Sequence, residues 1–463
     1  MVIEGSATLA RRLDRYRAAT RGILAPAPPS VVAGDLAVRL AAALDGEVIR
    51  TVEGVIVRCE AASRPLPVDR VQLAGLPGQP AAGVPLVCLD TETTGLATAA
   101  GTVAFLIGLG WWEADRFRQV QLLLPDHGEE CALLTALEAA IPPAAWLVTY
   151  NGRTFDWPLL VARYRMVRRA PPAHGGHLDL LPMVRRLFRH RMPDARLRTA
   201  EAELLGLRRI GDVEGWEIPG RYLGFLQGGP ASPLAEVVRH NDQDVRSLAW
   251  LLAHVAERLG DAEARAMAPA GDLAGLARSF AREHRLAEAL ACLDAAAERV
   301  VVAPPRTPIA SVRSSTSGVP DDEPWWSLRR TPDFGGRQPR LAIPPEMRRT
   351  AQLDVPWTSE RIAIDRAHLL RRIGRYPDAA VAWSALAAGP GPTAIVAAIE
   401  LAKLHEHRLR DPVTALAVTQ AAMAKVEHRR AVGRPDPRTE VDLQRRAARL
   451  RRRLGRRAAP PPN

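Results

Sequence analysis

An apolar run that ends in two acidic residues constrains this chain more than any other feature. Residues 84–90 read Val-Pro-Leu-Val-Cys-Leu-Asp, and Glu92 follows Asp90 by two positions. In a β-strand, residues two apart point to the same side, so both carboxylates face one point in space. Unpaired burial costs several kcal/mol or more, and the run contains no Lys or Arg. The pattern predicts a site for a hard divalent cation, Mg²⁺ or Mn²⁺, with solvated acids at an exposed strand end as the alternative.

Charge and composition indicate the class of partner. The 463 residues suffice for two or three domains, and an apolar content of 47% is ordinary for a globular protein. A net charge of +12 favours a polyanionic partner, nucleic acid first and a membrane surface second. Nearly all of the basic residues are Arg, a bias that genome composition also produces. No P-loop motif is present, which excludes a P-loop NTPase.

Cysteine usage and hydropathy predict the compartment. The four cysteines form no C-x-x-C pair, so the sequence supports neither a zinc ribbon nor a disulfide scaffold. The N-terminus lacks a basic segment followed by an apolar core, and the longest apolar run, 103–112, is about half of what a membrane-spanning helix needs. We expect a cytoplasmic protein with no membrane partner.

Changes in composition and periodicity predict the domain organisation. From Val84 to about residue 258, segments with the apolar spacing of strands are interspersed with segments with the apolar spacing of helices. After residue 258 the composition is dominated by Ala, Leu and Arg. We predict an N-terminal extension with a small hairpin at 1–80, an α/β domain at 81–258, a repeat-like helical hairpin at 259–301, a Pro- and Arg-rich linker at 302–358, helical repeats at 359–430 and a basic tail at 431–463.

Two further acids occupy unusual positions. Asp156 lies in the first turn of a predicted helix that follows a short strand, where an acid also serves as a favourable helix N-terminal charge. Asp244 lies four residues before Leu248 on the buried stripe of a long predicted helix, and a buried Asp needs a partner. His240 is one turn earlier on nearly the same side.

Three motifs in this order resemble a known family. They are Asp-x-Glu-Thr-Thr-Gly-Leu beginning at Asp90, Tyr-Asn-Gly-x-x-Phe-Asp beginning at Tyr150, and His-Asn-x-x-Asp beginning at His240. Residues 84–258 resemble the DEDD 3′-to-5′ exonucleases of the ribonuclease H-like superfamily, and most closely the YprB-like predicted exonucleases. The resemblance implies an α/β fold with a ribonuclease H-like mixed sheet flanked by helices.

The resemblance also implies a reaction and its ligands. Two Mg²⁺ or Mn²⁺ ions would serve hydrolysis of a phosphodiester in DNA or RNA. His240 lies four residues before the last acid, where the wider superfamily has a Tyr four before it or a His five before it, so it is either the general base or a packing residue. The implied metal ligands are Asp90, Glu92, Asp156 and Asp244.

Residues that follow the acids are candidate substrate contacts. Glycine permits close approach of the backbone to a terminal nucleotide. Phe155 suits stacking on a base, with core packing beside Trp157 as the alternative. Asp179 is either a helix cap or an auxiliary acid. The candidate substrate contacts are Thr93, Gly95, Leu96, Asn151 and Phe155.

The C-terminal segments weakly resemble tetratricopeptide repeats, which predicts an all-α helical-repeat region after the α/β domain. Ala289, Ala379 and Ala415 occupy equivalent positions in three similar segments, and the last two lie 36 residues apart. Such hairpins either only pack together or form a docking groove for a protein partner. The Arg-dense end, 445–457, is either a phosphate clamp or a solvated helix face.

A metal-dependent nuclease that acts in the 3′-to-5′ exonuclease mode, as the resemblance implies, is the leading functional hypothesis. A catalytically weak nucleic-acid-binding adaptor with helical repeats is the second. A structure-specific endonuclease on the same fold is the third, because fold and metal site do not separate the two modes of cleavage. Four converging carboxylates favour an enzyme, since they repel phosphate unless a metal is present.

Overall fold

The computed structural model describes residues 33–95, 101–302 and 356–458. The predicted substrate contact Leu96 lies outside the described residues. Nearly all of the predicted linker at 302–358 also lies outside them.

A seven-stranded mixed sheet forms the centre of the first part of the chain, with the strand order β1-β2-β5-β4-β3-β6-β7. The pairs from β1 to β3 are antiparallel, whereas β3, β6 and β7 run parallel. The mixed sheet predicted from the sequence is therefore confirmed. The strands are β1 (Glu47–Thr51), β2 (Gly54–Pro65), β3 (Leu86–Thr93), β4 (Ala104–Glu113), β5 (Arg116–Leu123), β6 (Trp146–Thr149) and β7 (Gly176–Asp179).

Helices cover both faces of the sheet, and the elements described after it, up to residue 302 and again from 356 to 458, are all helical. Short 3₁₀ turns occur at His127–Glu129 and Arg189–Arg191, and a π-helical turn occurs at Glu201–Leu205. The α-helices are α1 (Ala33–Leu44), α2 (Arg70–Ala74), α3 (Glu130–Ala140), α4 (Asp156–Met166), α5 (Leu180–Phe188), α6 (Leu197–Ala200), α7 (Ile218–Leu226), α8 (Leu234–Leu259), α9 (Ala262–Met267), α10 (Ala270–Arg282), α11 (Leu286–Val302), α12 (Pro356–Arg372), α13 (Tyr376–Ala388), α14 (Gly391–His407), α15 (Pro412–Ala431) and α16 (Pro437–Ala458).

Strand β3 separates two hydrophobic cores. Leu86 and Cys88 contribute to the core on the α8 face, whereas Val87 and Leu89 contribute to the core on the opposite face. Because side chains alternate along a strand, Asp90 continues the α8-facing set. The acid that ends the apolar run is thereby directed toward α8.

The hairpin that the sequence predicts before residue 81 is part of the same sheet as the strands that follow it. Strand β2 pairs with β5 from Val57↔Leu123 to Pro65↔Arg116, so the hairpin extends the same sheet. Ile56 and Val57 are buried in its core. The hairpin is part of the α/β domain because it covers what would otherwise be an open sheet edge.

The predicted boundary at 258/259 does not separate two cores. Leu248 of α8, Leu187 of α5 and Leu276 of α10 belong to one continuous hydrophobic cluster. Gly275 permits the close approach, since a Cβ there would lie 2.3 Å from the carbonyl oxygen of Arg186. The first C-terminal helices are therefore packed into the α/β domain rather than attached as a separate arm.

The remaining helices pack in sequence order, as the predicted all-helical region requires. The predicted small residues Ala289, Ala379 and Ala415 are all fully buried. The predicted tail at 431–463 is mostly helix α16, which buries Leu443 on one side. Among the described residues, no helix is long and apolar enough to cross a membrane.

Gly108 on β4 permits the contact between the sheet and α8. It pairs with Asp90, and a Cβ at this position would lie 2.1 Å from Oδ1 of Asn241 and 2.7 Å from Val245. We expect Gly108→Ala to lower the free energy of unfolding by roughly 1 to 3 kcal/mol, because the overlap forces α8 away from β3. Denaturant unfolding measures this change. Gly220→Ala is the control, since a Cβ at Gly220 meets open space, and equal losses in both variants would contradict the expectation.

Candidate active site

The end of β3 presents the two predicted acids to one side. Asp90 and Glu92 are both half-buried, at the point where the strand changes from fully buried residues to partly exposed ones. They pair with Gly108 and Leu106 of β4, in a ladder that is regular up to Glu92. The strand thus fixes the direction of both carboxylates through its backbone.

Helix α8 brings two further side chains to the acids. Asn241 is fully buried and donates a hydrogen bond from Nδ2 to Oδ2 of Asp90 at 2.9 Å. Its Oδ1 accepts one from Gln121 at 3.2 Å, which fixes the orientation of the amide. Asp244 lies one turn later and contributes its charge to the surroundings of Asp90 and Glu92. The motif beginning at His240 contains Asn241, yet the sequence analysis assigned it no role.

Helix α4 brings Asp156 to the same place from the other side of β3. Oδ1 of Asp156 accepts hydrogen bonds from the backbone N of Thr91 at 3.1 Å and from its Oγ1 at 2.6 Å. Asp156 is therefore more than a favourable charge at a helix N-terminus. Its partner Thr91 is the residue between Asp90 and Glu92, so these hydrogen bonds attach Asp156 to the strand that carries the two acids.

Asp179 positions the turn that precedes Asp156. As predicted for a cap, its Oδ1 accepts from the backbone N of Leu181 at 3.0 Å. It also accepts from the backbone N of Asn151 at 2.7 Å, and Asn151 has a left-handed backbone with φ +70°. Asp179 thus acts as a cap that also holds the turn, and its hydrogen bonds explain its position without an auxiliary role.

The four described residues among the predicted substrate contacts are sequence neighbours of the acids: Thr93 and Gly95 follow Glu92, and Asn151 and Phe155 precede Asp156. Phe155 is 48% exposed, so the alternative of core packing is wrong. Oγ1 of Thr93 donates a hydrogen bond to the backbone oxygen of Gly95 at 2.6 Å, which stabilises the turn that follows β3. Asn151 is half-buried in the turn before Phe155. An exposed aromatic ring beside the acids is available for stacking.

The four acids form one electrostatic unit. Burial is the largest cause that raises the pKa of each carboxyl group. For Asp90, the charges of Asp244, Asp156 and Glu92 raise the pKa further, well above its usual range. For Glu92, the charges of Asp244, Asp156 and Asp212 do the same. Mutual repulsion of this kind is relieved when a carboxyl group takes up a proton or when a cation binds beside it.

Arg209 supplies a cation that the sequence analysis missed. Its guanidinium donates hydrogen bonds to Glu201 at 2.7 Å and to Asp212 at 3.0 Å, and a further one to Oδ1 of Asp244. Burial lowers the pKa of Arg209, but the bonds and charges of Glu201 and Asp244 outweigh it and raise the pKa above its usual range. Arg209 remains charged and neutralises part of the cluster.

His240 is held by Asp212, which the sequence analysis also missed. Nδ1 of His240 lies 2.8 Å from Oδ1 of Asp212, and its Nε2 lies 3.6 Å from Oδ2 of Asp244. Burial raises the pKa of Asp212, but the bonds from His240 and Arg209 lower it below its usual range. An ionised Asp212 favours the proton on Nδ1, which leaves Nε2 as an acceptor facing the acids.

The donor set fits a divalent metal ion in its chemistry but is not gathered around a point. Within the described ranges, no three His, Cys, Asp or Glu side chains form a group that could hold a metal ion. Oδ1 of Asp244 faces Arg209, and Oδ2 of Asp90 faces Asn241. Glu92 accepts no hydrogen bond from any described residue. Carboxylate oxygens are the ligands that Mg²⁺ and Mn²⁺ prefer.

His177 lies on β7, two residues before Asp179, and the pH dependence of the free energy of unfolding tests its environment. Its Nε2 is 2.8 Å from Oγ1 of Thr149, and burial, followed by the charge of Arg153, lowers its pKa to about 4. The unfolded chain therefore binds one more proton between about pH 6.5 and 4, so stability falls as the pH falls through this window. We expect His177→Gln to reduce the stability lost between pH 7 and 5 by roughly 1 to 2 kcal/mol. Denaturant unfolding at both pH values measures it, and equal pH slopes for the two proteins would contradict the expectation.

Comparisons with known proteins agree with this fold. Residues 87–256 match the model of a family described as the RNase_H superfamily. Over 176 residues the chain is 39% identical to "Uncharacterized protein YprB" of Bacillus subtilis (strain 168). That match covers 38% of this chain and 42% of the relative, so it spans less than half of either protein. The segment that matches the family model, residues 87–256, runs from β3 to α8 and includes all four acids, so this part of the chain is similar to a domain of the RNase H superfamily.

Proposed function

We propose that this protein is a metal-dependent nuclease that hydrolyses phosphodiester bonds of DNA or RNA, and that it acts as a 3′-to-5′ exonuclease. One observation carries the proposal: strand β3, helix α4 and helix α8 bring four carboxylates into one electrostatic unit. A cluster that only bound nucleic acid would gain nothing from this arrangement, because the carboxylates repel phosphate. The superfamily match over residues 87–256 supports the same reaction class.

The proposed metal ligands are the four acids. Two divalent ions held by Asp90, Glu92, Asp156 and Asp244 would supply charge to activate a water and to stabilise the leaving 3′ oxygen. Asn241 orients Asp90, and Thr91 orients Asp156. These neighbours limit the rotation of the carboxylates, as partners of metal ligands commonly do.

His240 is the proposed general base. Asp212 holds its Nδ1, so the neutral ring presents Nε2 toward the acids. There Nε2 accepts the proton that the attacking water loses as its oxygen bonds to phosphorus. The contribution expected of a positioned base is roughly 10² to 10⁴ in rate.

The proposed substrate contacts follow from exposure and position. Phe155, which precedes Asp156, stacks on the terminal base. Gly95 offers close backbone approach after β3, and Thr93, Leu96 and Asn151 complete the proposed contacts. The net charge of +12 supports a nucleic-acid substrate, and the helical region from α12 to α16 is the proposed docking region for a protein partner.

A second candidate function is a nucleic-acid-binding adaptor with little catalysis. The contact between Arg209 and Asp244 favours it, because a protein cation already occupies one oxygen of a proposed metal ligand. An endonuclease on the same fold would use the same acids and differ in how the strand reaches them.

One experiment distinguishes these functions. Full-length protein is incubated with 5′- and 3′-end-labelled single-stranded and duplex DNA and RNA, in Mn²⁺, Mg²⁺ or EDTA. A 3′-to-5′ exonuclease yields a ladder of 5′-labelled products that shortens with time in metal and is absent in EDTA. Internal fragments from the start of the reaction would support the endonuclease, and binding without products in any metal would support the adaptor.

A further inference from the structure

One oxygen of Asp244 already has a hydrogen-bond partner inside the protein. Oδ1 accepts a hydrogen bond from Nη2 of Arg209, and Oδ2 lies 3.6 Å from Nε2 of His240. Asp244 is therefore the proposed metal ligand that a protein cation already contacts. A divalent ion that binds Asp244 would either take Oδ1 from Arg209 or lie close to its guanidinium.

Arg209 is anchored by a residue other than Asp244. Glu201 is fully buried and accepts bonds from Nε and Nη2 of Arg209 at 2.7 and 2.5 Å. Ser247 of α8 donates a further hydrogen bond to Glu201. Glu201 begins a π-helical turn, a deviation that occurs frequently at functional sites. The anchor keeps the guanidinium beside Asp244 whether or not Asp244 stays bound to it.

We propose that Arg209 is an internal counter-ion of the acid cluster, which restrains Asp244 and competes with the divalent ion for it. The inference rests on the proposed function and concerns control of the same site. Arg209 offsets the repulsion among the acids when no ion is bound. The same positive charge, next to the place where a divalent ion would lie, weakens binding of that ion.

The direction of the effect separates this role from an ordinary supporting role. A residue that only orients a metal ligand strengthens metal binding, and its loss typically weakens affinity about 10- to 100-fold. A counter-ion that competes for the ligand has the opposite effect. Removing one positive charge beside a bound divalent ion is expected to tighten binding by about tenfold or more.

The test is calorimetric titration of the full-length protein with Mn²⁺ alone, without nucleic acid. Arg209→Gln removes the competing charge, and we expect it to bind Mn²⁺ about tenfold or more tightly than wild type. Because Arg209→Gln leaves Glu201 buried without its cation, the double variant Glu201→Gln/Arg209→Gln removes both charges. We expect it to bind Mn²⁺ more tightly than wild type but less tightly than Arg209→Gln, because the contact to Asp244 is gone while the negative charge of Glu201 is lost too. Circular dichroism and thermal unfolding verify the fold of each variant.

A matched control and a double-mutant cycle complete the design. Arg221→Gln removes another partly buried Arg, which pairs with Glu217 and Glu236 instead, and should leave Mn²⁺ affinity unchanged. In an Asp244→Asn background, Arg209→Gln should give a much smaller gain, because the competition for that carboxylate is gone.

The outcomes separate the counter-ion from the proposed nuclease. Unchanged or weaker Mn²⁺ binding in the Arg209 variants would overturn the counter-ion while leaving the nuclease intact. An equal gain with and without Asp244 would overturn the competition for that carboxylate. Wild-type protein that binds no Mn²⁺ would overturn both proposals. Tighter binding that depends on Asp244 supports the counter-ion.

Discussion

Asp90→Asn is expected to abolish phosphodiester hydrolysis while leaving the protein folded. Asp90 lies on the interior strand β3, where the charges of Asp244, Asp156 and Glu92 all reach it. Loss of one group that stabilises charge in a transition state lowers turnover by about 10²- to 10³-fold, and loss of a shared metal ligand should cost at least that much. Initial rates on end-labelled substrate at saturating Mn²⁺ measure the effect.

Stability provides a second measurement for Asp90→Asn. An Asn at this position keeps an oxygen that accepts the bond from Asn241 and removes one of the repelling charges. We therefore expect the Tm without metal to equal or exceed that of wild type, whereas the rise in Tm on addition of Mn²⁺ should shrink. Asp115→Asn, in the exposed turn between β4 and β5, is the control with unchanged activity. Full activity of Asp90→Asn, or of wild type in EDTA, would contradict the nuclease and favour the adaptor.

The alternation along β3 explains why the central acids were predictable. The four apolar residues before Asp90 are buried alternately on one face of the sheet and then the other. The same alternation directs Asp90 to the face that α8 covers. A local period of two therefore predicts the side to which an acid points, without knowledge of the rest of the fold. Asp244 was predictable for a similar reason, since the helical period placed it beside Leu248.

Arg209 was not predictable in this way. It lies in a segment between the π-helical turn and α7 that has neither strand nor helical periodicity. Asp212 is a neighbour in the same segment, but Glu201 lies in the π-helical turn and Asp244 in α8, and only the folded chain brings these two to Arg209. A lone Arg in such a segment resembles the many other Arg residues of this chain, so its burial is visible only in three dimensions.

The continuity of the sheet and of the core across the predicted domain boundaries was not predictable for a related physical reason. Composition changes sharply near residue 258, but composition does not report which helix face covers which core. Gly275 marks the contact between α10 and α5, yet a glycine within a helical pattern carries no such signal in the sequence. The hairpin of β1 and β2 was recognised locally, whereas its pairing with β5 depends on residues more than fifty positions away.

A substitution of His240 should separate proton transfer from metal binding. His240→Ala is expected to lower kcat by roughly 10²- to 10⁴-fold, because it removes the group that accepts the proton of the attacking water. Asp212 and Arg209 remain to pair with each other after the substitution, so the surrounding network persists. Mn²⁺ affinity should remain nearly unchanged, whereas Asp244→Ala should lower both turnover and affinity.

Chemical rescue distinguishes a base from a packing residue at His240. Its side chain is partly exposed, at 16%, and removing it leaves room for a small base beside Asp244. If His240 accepts the proton, added imidazole should restore part of the lost kcat in His240→Ala and have no effect on Asp90→Asn. A packing residue would instead change Tm and KM, and imidazole would not restore the rate. Wild-type kcat in His240→Ala would assign the proton transfer to another group, and His240 would then only connect Asp212 to Asp244.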